Sequence, residues 1–151
     1  MIIKKAFKED LETAAYLFDL YRQFYDQRSD IESAKDFLSE RMENHESEIF
    51  LAFSADDDLK NKGMGFVQLY PSFTSVGMKR IWILNDLFVH ENFRKQGVAE
   101  ALIARSKDLA IETNAKGIIL ETHFSNTAAQ KLYDKIGFEK DDEHFYYYLK
   151  V

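Results

Sequence analysis

The stretch that most constrains this chain runs from Lys79 to Ala110. A long strand-like segment, Lys79 to Val89, passes through a short polar loop straight into helical periodicity. The loop carries Arg94, Lys95, Gln96 and Gly97, after which Val98, Ala99, Leu102, Ile103, Leu109 and Ala110 recur at helical spacing. Gly117 then introduces a buried-looking strand, Ile118 to Leu120. Strand, helix and strand in this order predict a parallel crossover and hence an α/β fold.

The flanking segments extend that unit. Alternation from Ile2 to Phe7 predicts a first strand, and Glu9 and Asp10 place acids where a helix begins and its dipole favours them. Leu11, Ala14, Ala15, Phe18, Tyr21 and Tyr25 share one helical face; Ile31, Ala34, Phe37, Leu38 and Met42 share another after the polar break at residues 27–30. Ile49 to Phe53 and Met64 to Leu69 predict a hairpin across a charged turn at 55–62, and Pro71 with Ser72 to Gly77 predicts a loop. The strand Lys79 to Val89, richest in apolar residues, is expected to be central. Asn126 opens a last helix that stops at Gly137, and His144 to Leu149 reads as a final aromatic strand.

Composition excludes several chemistries. The chain has 151 residues, enough for one domain spanning 1–151 to bury its own core. It contains no cysteine, which removes disulfides, thiolate metal sites and a cysteine nucleophile together. The four histidines are scattered, so no metal is expected. No run reaches the ~18 apolar residues of a membrane span and no signal core follows Met1, so a cytoplasmic chain without a membrane partner is expected. The net charge of −6 is uneven: residues 1–60 hold 15 acids and 8 bases, the remainder 11 and 12. The acidic half disfavours nucleic acid, whereas the near-neutral half tolerates a polyanionic ligand.

The loop before Val98 has the make-up of an anion cradle. The first amides of a helix lack intrahelical acceptors and lie at its positive end, Gly97 allows close backbone approach, and Arg94 and Lys95 add charge. An ordinary helix start with a solvated basic loop has the same composition. Neither a Walker A sequence nor a three-glycine dinucleotide fingerprint occurs.

The order Arg94-Lys95-Gln96-Gly97-Val98-Ala99 resembles the R/Q-x-x-G-x-G/A signature of the GNAT superfamily of N-acetyltransferases. Leu84-Asn85-Asp86-Leu87-Phe88-Val89 resembles the strand preceding it, and Asn126 through Tyr133 to Gly137-Phe138 resembles the family's N-x-x-A-x-x-x-Y-x-x-x-G-F segment. This resemblance implies a central mixed, largely antiparallel sheet with a splayed parallel strand pair, flanked by helices. It also implies an acetyl-CoA site: amides from Gln96, Gly97, Val98, Ala99 and Glu100 on the pyrophosphate, Leu87, Phe88 and Val89 along the pantetheine arm, and Asn126 and Ala129 beside it. Around Leu84 to Val89 the chain is most similar to the polyamine and thialysine acetyltransferases, except that Asn85 stands where those commonly carry an acid.

The reaction so implied is direct attack of an amine on the thioester within a ternary complex. A free amide near Leu87 or Phe88 would stabilise the oxyanion, and Tyr133, with a phenol normally near pKa 10, would protonate the leaving sulfur. On residues alone Tyr133 reads equally as a core aromatic, since 129, 132, 133 and 136 form one helical face. Asp86, a carboxylate in an apolar strand, calls for a partner or a function, and it is the candidate catalytic and amine-binding acid. Asn85 and Glu121 are further substrate-binding candidates, although Glu121 fits an exposed strand end as well. Tyr16, Tyr21, Phe24 and Tyr25 border either the acceptor pocket or the core. The expected acceptor is a small cationic amine. The alternatives are a protein lysine or N-terminus as acceptor, or a noncatalytic acyl-CoA sensor or interaction module. Tyr146, Tyr147 and Tyr148 place aromatics on both faces of the last strand, which a homodimer would cover.

Overall fold

A computed structural model describes residues 1–55 and 63–151. The charged turn expected at 55–62 therefore lies, beyond its first residue, outside the described residues. The chain forms two compact units, Met1–Glu121 and Thr122–Val151.

Among the described residues the first unit is a five-stranded sheet with three α-helices. In chain order it contains β1 (Ile2–Lys5), α1 (Leu11–Phe24), α2 (Ile31–Glu43), β2 (Glu48–Phe53), β3 (Gly63–Thr74), β4 (Lys79–Val89), α3 (Val98–Glu112) and β5 (Ile118–Ile119). The strands lie side by side in sequence order. All pairs are antiparallel except β4 and β5, which run parallel through α3 as the crossover requires. The centre of the sheet is β3, not β4 as the apolar run suggested; β4 still has a neighbour on each side.

Register divides the sheet into two covered faces. Ile49, Leu51 and Phe53 of β2 join Phe66 and Phe88 in a core closed by Ala14, Ala15 and Leu17 of α1 and Ala34 and Leu38 of α2. On the opposite face Phe50 lies under the Arg105 guanidinium of α3, at 4.5 Å from the ring centroid. There Trp82 Nε1 also donates to Thr113 Oγ1 just past the helix, at 2.9 Å. Burying a large apolar side chain such as Phe66 or Leu51 contributes about 1.5–3 kcal/mol, so these two layers hold the sheet rigid beneath whatever binds at its edge.

Two local departures from expectation have physical causes. The segment expected to loop at Pro71 instead continues β3 to Thr74, with Pro71 opposite Trp82. Pairing of β3 with β2 ends at Leu69, so beyond it β3 is an edge strand, where a missing N–H removes no ladder bond. At the start of α1, Lys8–Asp10 forms a 3₁₀ turn, and buried Asp10 pairs with Lys4 Nζ at 2.6 Å and accepts from the Phe7 amide at 3.2 Å rather than from the first amides of α1.

The break between α1 and α2 is held by one carboxylate. Buried Asp19 accepts from the Asp30 amide at 2.8 Å, Ser29 Oγ at 2.7 Å and Gln23 Nε2 at 2.9 Å. Burial opposes its ionisation, yet these donors and Arg22 outweigh it and keep the carboxyl below its usual range. Asp30 in turn caps α2 by accepting from the Ser33 amide.

The second unit carries α4 (Thr127–Ile136). Asn126 Oδ1 accepts from the Ala129 amide at 3.2 Å and starts the helix. Gly137, at φ 99°, ends it, its amide and that of Phe138 both returning to the Tyr133 carbonyl. The helix thus has the bounds its sequence predicts. The strand expected at 144–149 is absent: those residues form no ladder, and Tyr146, Tyr147 and Tyr148 are 79%, 85% and 79% exposed. Alternation supplies faces but not a partner, and without a paired neighbour a strand has no hydrogen bonds to hold it. Among the described residues no helix is long and apolar enough to cross a membrane.

Candidate active site

The site begins where β4 loses one neighbour. Pairing with β5 covers only Trp82 and Ile83, because β5 is two residues long rather than the three its apolar run suggested. From Asn85 to Val89 the β5-facing edge of β4 has no strand partner among the described residues. On its other edge β4 pairs with β3 throughout, but the register shifts: Gln68 faces Asp86 while Leu69 faces Leu84, leaving Asn85 as a bulged residue. The β5-facing edge of β4 is therefore open along the segment where Leu87, Phe88 and Val89 are expected to meet an extended ligand.

The bulge also moves side chains between faces. Leu84 shares the α3 face with Leu69, whereas Asp86 is turned to the α1 face beside Gln68. Asp86 is only 4% exposed and sits among donors. Gln68 Nε2 reaches its Oδ2 at 2.9 Å, Asn85 Nδ2 reaches Oδ1 at 3.1 Å, and the Tyr21 hydroxyl of α1 donates as well. Burial nevertheless dominates and raises its carboxyl above the usual range, these hydrogen bonds opposing it. Gln68 Nε2 also donates to Tyr70 Oη at 2.7 Å. The half-buried Tyr70 phenol is pushed up to about 12, first by burial and then by Asp86, with Arg41 and Gln68 opposing.

Beyond Val89 the chain turns through a 3₁₀ segment, Glu91–Phe93, into the basic loop. Arg94, Lys95 and Gln96 are exposed. Arg94 Nε donates to the Val89 carbonyl at 3.2 Å, and its guanidinium stands 6.0 Å from the Phe24 ring centroid of α1. Lys95 and Gly97 both have left-handed backbones, at φ 60° and 77°. Gly97 is the residue before α3 and has no side chain with which to cap the amides that follow it. A second glycine brings this start close to the sheet: a Cβ at Gly65 would lie 2.5 Å from the Phe88 carbonyl oxygen and 3.3 Å from Val98 Cγ1.

These two features form one continuous surface, an open strand edge leading into an uncapped, basic helix start. That surface fits an extended chain ending in phosphates. The model of the acetyltransferase (GNAT) family matches residues 14–138. The chain belongs to the GNAT family of acetyltransferases. It is 43% identical over 151 residues, 100% of this chain and 98% of the other, to the uncharacterized N-acetyltransferase YhfO of Bacillus subtilis (strain 168). It is 35% identical over 121 residues, 80% of each chain, to a probable acetyltransferase of Haemophilus influenzae. The crystal structure of a probable acetyltransferase superposes with a TM-score of 0.92 at 43% identity, covering 100% of this chain and 98% of that one. The mixed sheet with its parallel β4–β5 pair and flanking helices is the GNAT fold, and the chain is an acetyltransferase.

The remaining sequence candidates are placed as follows. Leu87, Phe88 and Val89 lie on the open segment of β4, and Arg94, Lys95, Gln96, Gly97, Val98, Ala99 and Glu100 occupy the loop and first turn of α3. Asn85 is the bulged residue and directs its amide to Asp86. Glu121 is exposed beyond the end of β5 and not on it. In the second unit Asn126 and Ala129 satisfy each other, and the Tyr133 ring meets Phe138 edge-on at 5.5 Å. Gln68, Tyr70 and Tyr21's bond to Asp86 were missed as a group. Gln68 is a lone polar residue in the apolar run of β3, the same signal that singled out Asp86 in β4.

Proposed function

We propose that this GNAT acetyltransferase transfers acetyl from acetyl-CoA to a primary amine, and that the acceptor is a small cationic amine attacked directly within a ternary complex. Members of this family use acetyl-CoA. The observation that carries the proposal is the unpaired edge of β4 from Asn85 to Val89 running into the uncapped start of α3. In this reading Leu87, Phe88 and Val89 align the pantetheine arm, and amides of residues 96–100 take the pyrophosphate, with Arg94 and Lys95 supplying charge. A backbone amide near Leu87 would meet the developing oxyanion, and Tyr133 would give a proton to the departing sulfur. The small cationic acceptor is supported by the aromatic side chains of Phe24 and Tyr25, 59% and 51% exposed, at the C-terminal end of α1.

We further take residues 1–151 to act as one acetyltransferase domain in the cytoplasm. Exposed Tyr146, Tyr147 and Tyr148 support a homodimer, which sedimentation velocity would reveal as twice the mass of 17.7 kDa. The test of activity is direct. Calorimetry should detect binding of acetyl-CoA and of free CoA, and a panel of amines, small di- and polyamines against peptides, should release thiol fastest with a small cationic member. Binding without thiol release from any amine would leave an acyl-CoA sensor, and faster release with peptides would reassign the acceptor.

A further inference from the structure

The network around Asp86 separates the acid from any bound substrate. At 4% exposure, with donors on both carboxylate oxygens, Asp86 has little surface left to meet an amine. Its neighbours reach further out: Asn85 is exposed, and Tyr21 and Tyr70 are partly so. These three differ in what they can carry. The carboxamide of Asn85 donates to Asp86 and cannot relay a proton, because an amide neither gains nor loses one near neutral pH. Tyr70 accepts from Gln68 Nε2 and is not among the side chains that donate to the Asp86 carboxylate. Tyr21 alone directs an O–H at the carboxylate while keeping lone pairs on the same oxygen.

Packing fixes that hydroxyl. The Tyr21 ring stands edge-on to Phe66 at 5.9 Å and 88°, and to Phe88 at 6.4 Å and 69°. It is thereby tied to the open half of β4, on the face to which the Asn85 bulge turns Asp86.

Building on the acetyltransfer reading above, we infer that Tyr21 is a catalytic residue that passes the acceptor's proton to Asp86. As the amine nitrogen bonds to the thioester carbonyl carbon, its N–H proton moves to the Tyr21 oxygen and the Tyr21 hydroxyl proton moves to the Asp86 carboxylate. The carbon–sulfur bond then breaks, the thiolate takes a proton from the acid on its own side, Asp86 returns its proton to water, and water restores the proton of that acid. One proton leaves nitrogen and one reaches sulfur, so amide and free thiol balance. Asp86 acts only through Tyr21 and is a positioning residue and proton sink. Burial keeps it a stronger base than an exposed carboxylate. The titratable groups facing it are Tyr21 of α1 and Tyr70 of β3, with Arg41 of α2 acting on Tyr70.

The sign of the pH dependence follows. Asp86 must be ionised to accept, so kcat at saturating amine should fall as pH drops through its raised pKa. Tyr21→Phe keeps the ring contacts and should lower kcat at pH 7.5 by ~100-fold while erasing that acid limb, with acetyl-CoA affinity unchanged by calorimetry. If Tyr21→Phe does not fold, Asp86→Asn serves, and the acid limb should vanish there too. A Tyr21→Phe enzyme with wild-type kcat, or either variant with the acid limb intact, would overturn the relay alone. A wild-type protein that binds acetyl-CoA but releases no thiol to any amine would overturn the acetyltransfer reading and the relay with it.

Discussion

The helices α3 and α4 begin in opposite ways. At α4 the problem of unpaired first-turn amides is solved internally, by Asn126 Oδ1 accepting from Ala129. At α3 the N-cap residue contributes nothing: Gly97 has no side chain to offer, and the preceding residues add exposed cations instead. Glycine in place of a capping side chain costs only about a few tenths of a kcal/mol, and Lys95 adds strain by holding a left-handed backbone without being glycine. A start that is both uncapped and strained is the one suited to receive an anion, whereas the capped start has no amide to spare at position 129.

The most damaging way to break this contrast is to close α3. Gly97→Glu places a carboxylate at the open amides beside Glu100, whose Oε2 already lies 3.4 Å from where a Cβ would stand. Affinity for CoA should fall by ~100-fold or more in calorimetry. Gly97→Ala controls for backbone, since at φ 77° any L side chain is disfavoured by roughly 1 kcal/mol. It should lower thermal stability slightly while retaining most of the affinity. Equal affinities for Gly97→Glu and wild type would show that α3 binds no phosphate and that its missing cap is incidental.

A comparable loss, in a different constant, is expected from α4. Tyr133→Phe preserves the ring that meets Phe138 and should leave CoA affinity intact while lowering kcat by ~100-fold, the size expected for removing a general acid. The two outcomes together would separate a loss of binding at α3 from a loss of turnover at α4. A Tyr133→Phe enzyme of normal kcat would return Tyr133 to the role of a helix-packing aromatic.

Much of this contrast can be read from residue order, because it is local. Asn126 with Gly137, and Gly97 with the helical spacing after it, fix the ends of α4 and the start of α3 without reference to anything distant. The same holds for β4, whose bounds at Lys79 and Val89 match the apolar run. What could not be read depends on pairing. Pro71 is tolerated in β3 only because β2 ends opposite Leu69, and Asn85 becomes a bulge only through the register against Gln68 and Leu69. That bulge decides which face Asp86 occupies, so the network with Gln68, Tyr70 and Tyr21 was invisible although Asp86 itself stood out. The aromatic run 144–149 shows the converse error, a strand-like composition without a ladder.

The smallest effect tests the closed helix start itself. Asn126→Ala removes the acceptor of the Ala129 amide and should cost about 1 kcal/mol, or roughly 2–4 °C in melting temperature, with CoA affinity unchanged. Asn126→Asp keeps an acceptor oxygen and should restore stability. The informative failure is the reverse pattern, in which Asn126→Ala melts like wild type but binds CoA more weakly. Asn126 would then be spending its oxygen on the ligand rather than on its own helix, as the motif resemblance implies.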